Sequence, residues 1–270
     1  MRVVFTDLHG TLLDAATNEW SPARPALLAL QQRNIPVVMV SSKTRAEVEM
    51  WRDQMANRHP FIVENGAAIL IHNGYFIQPV EGARNRGGYE MLVLGTPADE
   101  LAAVLRAAAR ETGVLVRTLD QMTDAEIQQR TALPLNQVPL VRRREFGVPF
   151  VLENEDDAVH LRRAIEIRGQ RYVRGGRFHH IVGAHDKRRA VKALLALFRR
   201  RFTSVTALGL GDGPNDLGFL AEMDSAVIMQ SPHAATMQET LPRAYVTQQP
   251  GPAGWNEAIT LLVLEAAARA

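Results

Sequence analysis

The feature that most constrains the fold is a short apolar run near the start of the chain that leads into an acidic residue. Residues 3–5 predict a buried strand that delivers Asp7 to its carboxyl end, and Gly10 and Thr11 then turn the chain away. Ligands of open α/β sheets bind in the crevice outside the carboxyl ends of the strands. Asp7 is therefore a candidate nucleophile or metal ligand. A lone Asp at such a turn is more often a cap, so this interpretation depends on partners elsewhere.

Further apolar segments predict a parallel sheet with helices on both faces. The segments at 35–40, 61–63, 206–210 and 226–229 alternate with helix-forming stretches. Strands with continuous apolar character are typical of a parallel sheet buried on both faces. The predicted fold class is therefore α/β with a Rossmann-like parallel-sheet core. Residues 68–77 are predicted to form a hairpin, with a type I′ turn at Asn73-Gly74.

A polar stretch at residues 80–88 contains three glycines, lacks apolar periodicity and marks the predicted exit from this core. The strands and helices that follow, as far as residue 182, are mixed in the way typical of a small α+β domain. The sequence therefore predicts a core domain of residues 1–83 and 184–270. An inserted α+β domain of residues 84–183, the cap, divides it.

Composition excludes several classes of protein. The 270 residues contain no Cys, which excludes disulfides, thiolate zinc sites and Cys nucleophiles. No window approaches the roughly 18 apolar residues of a membrane span, and the first residues lack a signal peptide's pattern, so we expect a cytoplasmic protein without a membrane partner. The formal net charge is +2. The basic runs at 142–144 and 199–201 lack interleaved aromatics and predict solvated helix ends, so no nucleic-acid partner is expected.

Polar residues with complementary chemistry accompany other predicted strands. Ser41 follows the second strand, Asp212 and Asp216 follow the strand at 206–210, and Lys187 opens a helix. Each has an ordinary structural explanation by itself, as a helix cap, a turn residue or a solvated charge. Together with Asp7 they supply a nucleophile, carboxylates for Mg²⁺, and a hydroxyl and a cation for a phosphoryl group. Phosphoryl transfer requires this set of groups.

These motifs resemble those of the haloacid dehalogenase-like hydrolases. The matching segments are DLHGTLLD at Asp7, SSK at Ser41, Lys187 itself and GDGPND at Asp212. The large insertion after the third strand resembles the large-cap (Cof-type, IIB) branch of that superfamily. Within this branch, the chain resembles the mannosyl-3-phosphoglycerate phosphatase family in four segments. They are SSKT at residue 41, VENGA at 63, GGY at 87 and GGRFHH at 175.

The resemblance implies a Mg²⁺-dependent phosphomonoesterase that hydrolyses mannosyl-3-phosphoglycerate, a small-molecule phosphosugar, to mannosylglycerate and phosphate. Asp7 would attack phosphorus and form an aspartyl-phosphate. Ser41 and Lys187 would bind the phosphoryl oxygens. The implied metal ligands are Asp7, the main-chain carbonyl of His9, and Asp212, with Asp216 in support.

Contacts with the rest of the substrate are implied for Lys43, beside the phosphate loop, and for Arg177, His179 and His180 of the cap. An Arg is suited to bidentate recognition of the glycerate carboxylate. Neighbouring residues of a half-buried strand point to opposite faces, so one of the two histidines would face inward and the other outward. The sequence leaves two interpretations of the histidine pair open, contact with the substrate or simple alternation on a half-buried strand.

One position departs from the family's pattern. His9 stands where the family usually has the Asp that gives a proton to the leaving group and takes one from water. An imidazole can perform both transfers near neutral pH. The sequence leaves three alternatives: a phosphatase in which His9 is the acid and base, a phosphatase of another sugar phosphate or a phosphosugar mutase, and a ligand-binding protein with weakened or no turnover.

Overall fold

The computed structural model describes residues 1–131, 133–174 and 178–265. These residues form two compact units. The first contains Met1–Ser41, Asn57–Leu92 and the chain from Asp186 onward, and the second contains Ser42–Ala56 and Val93–His185. Among the described helices, none combines the length and the apolar character that crossing a membrane requires.

Strands and helices alternate along most of the chain. The strands are β1 (Arg2–Thr6), β2 (Val37–Val40), β3 (Phe61–Val63), β4 (Ala68–His72), β5 (Arg84–Arg86), β6 (Tyr89–Val93), β7 (Val116–Thr118), β8 (Gly147–Leu152), β9 (Arg171–Arg174), β10 (His179–Val182), β11 (Thr206–Gly211), β12 (Ser225–Ile228) and β13 (Tyr245–Val246). The α-helices are α1 (Arg24–Gln32), α2 (Arg45–Gln54), α3 (Ala98–Thr112), α4 (Asp124–Thr131), α5 (Val138–Arg142), α6 (Ala158–Ile167), α7 (Lys187–Arg201), α8 (Leu217–Leu220), α9 (Ala234–Thr240) and α10 (Gly251–Ile259). A π-helix at Thr260–Glu265 continues α10.

The first unit is built on a large sheet with strand order β13-β12-β11-β1-β2-β3-β4-β6-β5. The strands from β13 to β3 are parallel, and β4 is antiparallel to β3. β1 lies between β11 and β2 and is buried from Val3 to Thr6, as its apolar sequence predicts. The predicted α/β fold class with a parallel-sheet core is confirmed.

The parallel register brings the ends of three adjacent strands to one edge of this sheet. Asp7 follows β1, Ser41 follows β2 and Asp212 follows β11. The start of α7 lies at the same edge, because Lys187 contacts Asp7. α7 packs on the sheet through Phe198, whose ring meets Phe5 of β1 edge to face at 6.5 Å.

The second unit has its own antiparallel sheet, of order β7-β8-β10-β9. Helices α3 and α6 cover one face of this sheet with a cluster of apolar side chains that includes Phe150 and Tyr172. A smaller apolar cluster around Ile127, Val138 and Phe178 lies with the short helices α4 and α5. α2 belongs to the same unit, where the hydroxyl of its cap Thr44 donates to the carbonyl of Leu140 at 2.8 Å.

The division of the chain differs from the predicted boundaries at 83 and 184. β5 and β6 extend the large sheet, so the first unit continues to Leu92, and residues 42–56 group with the second unit. The predicted hairpin at residues 68–77 is wrong. β4 pairs with β3 on one side and lies beside β6 on the other, so both of its edges are occupied, and residues 73–78 form a turn followed by bends.

Candidate active site

Three carboxylates gather at the carboxyl edge of the large sheet. Asp7, Asp212 and Asp216 each offer an oxygen atom, and these atoms lie within 4.8 Å of one another. Asp7 is 6% exposed and Asp216 is fully buried. Asp7 continues the β1 ladder, because its backbone N–H donates to the carbonyl of Leu210 at 2.9 Å. Strand pairing therefore fixes the position of the cluster.

A buried lysine joins two of these carboxylates. The ammonium of Lys187 donates to Asp7 Oδ1 at 2.6 Å and to Asp216 Oδ1 at 2.7 Å, and the residue is 2% exposed. Lys187 is the first residue of α7, and the cap residue Asp186 accepts the backbone N–H of Arg189 at 2.7 Å. The helix start therefore places the cation against the carboxylates that follow β1 and β11.

Burial, together with the surplus of negative charge, alters the titration of the cluster. Burial raises the pKa of Asp212 to about 6, and the neighbouring Asp216 adds to the shift. Burial likewise raises the pKa of Asp216 to about 6, against the opposing effect of Lys187. The pKa of Asp7 is also raised by burial, although Lys187 opposes the shift. Burial by itself would lower the pKa of Lys187, but Asp216 and Asp7 outweigh it and raise that pKa. One cation does not balance three carboxylates.

Glycine allows the chain to approach these carboxylates closely. Gly10 has φ +79°, and a Cβ there would lie 2.3 Å from Asp212 Oδ2. A Cβ on Gly211 would lie 2.6 Å from Cβ of Asp216. Thr11 donates its hydroxyl to Asp212 Oδ1 at 3.3 Å. The motif glycines therefore make room for the carboxylate cluster.

Two buried residues behind Asp7 were not found by sequence reasoning. Trp255 Nε1 donates to Thr6 Oγ1 at 3.1 Å, and Thr6 Oγ1 donates to the carbonyl of Asp7 at 2.7 Å. Both residues are fully buried. Thr6 directly precedes the predicted nucleophile, which is the only local signal. Trp255 lies far along the chain, and no spacing pattern in the sequence connects it with Asp7.

The remaining predicted residues of the first unit lie near the same edge. Ser41 is 1% exposed, and its backbone N–H donates to the carbonyl of Ile62 at 3.0 Å. His9 is exposed, and it forms an isolated bridge with Leu13 within the loop after β1. Asp216 Oδ2 accepts the backbone N–H groups of Asp212 at 3.1 Å and Gly213 at 3.2 Å. Asp216 therefore organises the loop as well as pairing with Lys187.

The predicted cap histidines point to opposite faces of the smaller sheet. His179 is 4% exposed and its ring stacks on Phe150, on the face that α3 and α6 cover. Its Nδ1 contacts the hydroxyl of Tyr172, and its Nε2 contacts Glu155 Oε1 at 3.1 Å. Both ring nitrogens of His179 are thus engaged within the unit. This arrangement favours a structural function for His179 over a substrate contact.

His180 lies on the other face of that sheet, since strand residues alternate. Burial and the positive charge of Arg144 lower the pKa of His180 to about 3, so the ring is neutral. Arg144 also donates to the carbonyl of Ser42 at 3.3 Å. Lys43 lies in that loop, 3.6 Å from Glu47. The remaining predicted residue, Arg177, lies outside the described residues.

The donor set fits a hard divalent cation. Mg²⁺ prefers carboxylate oxygens together with phosphate and water, and three carboxylates meet here at short range. One of them, Asp212, is only partly buried and is therefore accessible from solvent. The residues present could hold Mg²⁺ at this edge of the sheet.

The chain was compared with known proteins. Residues 4–81 match the family described as haloacid dehalogenase-like hydrolase. A glucosyl-3-phosphoglycerate/mannosyl-3-phosphoglycerate phosphatase of Methanococcoides burtonii is 35% identical over 263 residues, which cover 97% of each chain. A protein of the same name from Persephonella marina is 34% identical over 268 residues, again 97% of each. The solved structure of a HAD subclass IIB sugar phosphatase is 15% identical, with a TM-score of 0.64 over 96% of this chain and 98% of that one.

The chain belongs to the haloacid dehalogenase-like hydrolases, because relatives at 34–35% identity match it over nearly its full length. The predicted family is confirmed. The solved sugar phosphatase has a similar fold over almost the whole length of this chain.

The pKa of Asp212 predicts a pH-dependent effect of Asp212→Asn on stability. Its folded-state pKa of about 6 exceeds its ordinary value, so between about pH 4 and 6 the native state holds a proton that the unfolded state has released. The charged carboxylate therefore destabilises the metal-free native state above pH 6, and this penalty fades as the pH falls. Asp212→Asn is expected to stabilise the protein most at pH 7–8 and least near pH 5.

Urea unfolding in EDTA at several pH values would measure this difference. Glu239→Gln is the control, because this exposed carboxylate lies on α9 and its replacement is expected to have a small effect throughout. A stabilisation by Asp212→Asn that grew toward pH 5 would contradict the raised pKa.

Proposed function

We propose that the protein is a phosphomonoesterase that hydrolyses mannosyl-3-phosphoglycerate to mannosylglycerate and phosphate. The observation that carries the proposal is the buried cluster in which Lys187 joins Asp7 and Asp216 at the carboxyl edge of a parallel sheet. The two full-length relatives support the substrate class, since their names include the mannosyl and glucosyl esters of 3-phosphoglycerate. The glucosyl ester is therefore proposed as a second substrate.

Asp7 is the proposed nucleophile. One of its carboxylate oxygens would attack phosphorus while the bond from phosphorus to the C3 oxygen of glycerate breaks, giving an aspartyl-phosphate. Water would then attack that phosphorus, and Asp7 and inorganic phosphate would be released. The strand pairing and the 2.6 Å contact with Lys187 support this function by holding the carboxylate in one place.

Lys187 and Ser41 are the proposed phosphate ligands. An ammonium has three N–H groups, and among the described residues two of those of Lys187 are directed to Asp7 and Asp216. The third is then available to a phosphoryl oxygen. Ser41 follows β2, the neighbour of β1, so its hydroxyl is proposed to donate to a second phosphoryl oxygen.

The proposed metal is Mg²⁺. When bound, it would neutralise the negative charge on the phosphoryl oxygens. The residues proposed to hold it are Asp7, Asp212 and the main-chain carbonyl of His9. Asp216 supports the site by accepting the N–H groups of the loop that carries Asp212.

The second unit is proposed to recognise the glycerate and sugar groups. Lys43 and Arg177 are the proposed partners of the negatively charged carboxylate. His180, which is neutral, is suited to a sugar hydroxyl, because a neutral imidazole carries one donor and one acceptor. His179 is assigned a structural function instead, because Tyr172 and Glu155 engage both of its ring nitrogens.

The test is phosphate release from purified mannosyl- and glucosyl-3-phosphoglycerate in the presence of Mg²⁺. We expect kcat/KM for the two esters to exceed that for 3-phosphoglycerate, which lacks the sugar. An isomerised sugar phosphate without free phosphate would instead favour a mutase. Release that was absent with every phosphosugar would contradict the proposed function.

His9 is the proposed acid toward the leaving C3 oxygen and base toward the attacking water. It follows Asp7 by two positions and is itself exposed, although the residues on either side of it are buried, so its side chain has access to solvent. General acid–base catalysis typically contributes about 10²–10⁴-fold. His9→Asn is expected to lower kcat by that factor, whereas His9→Asp is expected to retain most of the turnover because a carboxyl group can also exchange protons.

Steady-state kinetics on the mannosyl ester would measure both His9 variants. His233→Asn, a replacement of an exposed His elsewhere in the first unit, is the matched control and is expected to leave kcat unchanged. If His9→Asn turned over as fast as the wild type, the proton would have to move through another group.

A cytoplasmic location and a function in mannosylglycerate biosynthesis complete the proposal. The proposed product is mannosylglycerate itself, so the reaction would follow one that joins a mannosyl group to 3-phosphoglycerate. The Cys-free composition agrees with a compartment in which disulfides are not formed.

A further inference from the structure

A strained turn lies next to the candidate phosphate site. Glu64, Asn65 and Gly66 form a short helical turn directly after β3. All three have positive φ: +48° for Glu64, +58° for Asn65 and +93° for Gly66. Left-handed backbone is costly for residues with a side chain, and Asn tolerates it better than most. Two consecutive non-Gly residues in this region therefore need stabilisation from the surrounding structure.

The turn is hydrogen-bonded to the loop that carries Ser41. The backbone N–H of Asn65 donates to the carbonyl of Ser41 at 2.9 Å. The N–H of Ser41 itself donates to the carbonyl of Ile62 at 3.0 Å. Both backbone groups of Ser41 are thus bound by the segment 62–65, which fixes its main chain. This N–H belongs to the peptide that joins Glu64 to Asn65, so the left-handed backbone of this pair places it against Ser41.

The same turn packs against the start of α7. A Cβ on Gly66 would lie 2.1 Å from the carbonyl oxygen of Asp186 and 3.0 Å from the backbone nitrogen of Lys187. No side chain can occupy this space, so the turn and the helix start are in close backbone contact. Asn65 and Gly66 are consecutive residues, and they therefore connect Ser41 to Lys187.

The side-chain oxygen of Asn65 does not account for this arrangement. Its Oδ1 is buried and accepts no hydrogen bond from the described residues. An Asn at this position is explained instead by its tolerance of left-handed backbone. The backbone of residue 65, rather than its amide group, is then the important element.

We propose that the turn Glu64–Gly66 positions the two phosphate-binding residues, by holding the main chain of Ser41 at a fixed place relative to the first turn of α7. Asn65 is a positioning residue in this scheme and does not touch the substrate. The inference rests on the proposed function, because Ser41 and Lys187 are the phosphate ligands only in that proposal.

The experiment compares Asn65→Gly, which adopts positive φ freely, with Asn65→Ala, which does not. Inorganic phosphate binding by calorimetry and the kcat and KM of the mannosyl ester are the readouts. The left-handed conformation costs a residue such as Ala about 1–2 kcal/mol, which converts to about a fivefold to thirtyfold change in an equilibrium constant. In Asn65→Ala we expect the turn to relax in the free protein, so that restoring it on binding weakens phosphate binding by up to that factor, and we expect Asn65→Gly to stay within about twofold of the wild type.

Asn34 provides a matched control. It is also left-handed, with φ +52°, but it is exposed and lies between α1 and β2. Asn34→Ala is expected to cost stability, as Asn65→Ala does, and to leave phosphate binding unchanged. If Asn65→Ala fails to fold, Asn65→Ser is the milder substitution and is expected to show a smaller loss in the same direction.

The possible results separate this inference from the proposed function. Equal losses for Asn65→Gly and Asn65→Ala would assign the effect to the amide side chain and overturn the inference. A crystal structure of Asn65→Ala with the hydrogen bond to Ser41 intact would also overturn it, whatever the activity. Phosphate binding that followed the expected order, in a protein without phosphatase activity, would retain the positioning function and contradict only the proposed reaction. A wild type that bound no phosphate would contradict both.

Discussion

Asp7→Asn is expected to reduce phosphate release by at least about 10⁴-fold, because an amide cannot serve as the nucleophile. The substitution changes one atom of a residue that is 6% exposed and keeps its shape, so the site is expected to stay intact. The loss should therefore appear in kcat, while KM for the mannosyl ester changes little.

The same substitution is expected to leave the metal-free protein as stable as the wild type, or to make it more stable. Burial raises the pKa of Asp7, so its charged form is disfavoured in the native state at neutral pH. The strand pairing does not depend on this charge, because Asp7 is fixed through its backbone N–H. An inactive variant with undiminished stability would be evidence for a chemical function of Asp7.

Asp14→Asn is the matched control for Asp7→Asn. Asp14 lies in the same motif, and its Oδ1 accepts the backbone N–H groups of Ala16 at 3.0 Å and Thr17 at 2.9 Å. Asn keeps this acceptor, so activity is expected to remain within a few-fold of the wild type. Phosphate release by Asp7→Asn at a rate similar to that of Asp14→Asn would exclude Asp7 as the nucleophile.

Much of the site follows from the sequence because the ends of the strands are local features of the chain. Asp7, Ser41 and Asp212 each follow an apolar run, and parallel strands bring such positions to one edge. Lys187 gives little signal alone, since a helical lysine is usually a solvated charge, and it is predicted only in combination with the other site residues. Its burial between Asp7 and Asp216 depends on how α7 packs, which is a long-range property.

The rest of the arrangement could not be predicted from local patterns. The Asn73-Gly74 pair favours a hairpin, but β4 already has neighbours on both of its edges. Alternation alone did not decide between His179 and His180, because the answer depends on which sheet face α3 and α6 cover. Trp255 reaches the residue before Asp7 from far along the chain. In each case tertiary packing determined the outcome.

Lys187→Met is expected to destabilise the metal-free protein by about 3–5 kcal/mol, the typical cost of removing one partner of a buried ion pair. Met matches the length of the Lys stem but leaves Asp7 and Asp216 without their shared cation. Adding Asp216→Asn to Lys187→Met is expected to recover part of the loss, because one of the two uncompensated charges is then removed. Urea unfolding in EDTA would measure the single and double variants.

The control for this variant is Lys192→Met on the same helix. Lys192 is exposed and lies 3.8 Å from Glu222, so the loss is expected to be below about 1 kcal/mol. The deficit of Lys187→Met should also shrink as the pH falls from 8 toward about 6, because Lys187 holds the pKa of Asp216 down and Asp216 takes up a proton at a higher pH once the lysine is gone. A Lys187→Met protein as stable as Lys192→Met at pH 8 would contradict this interpretation of the buried cluster. A deficit that was constant from pH 8 to pH 5 would instead assign the loss to packing of the side chain rather than to its charge.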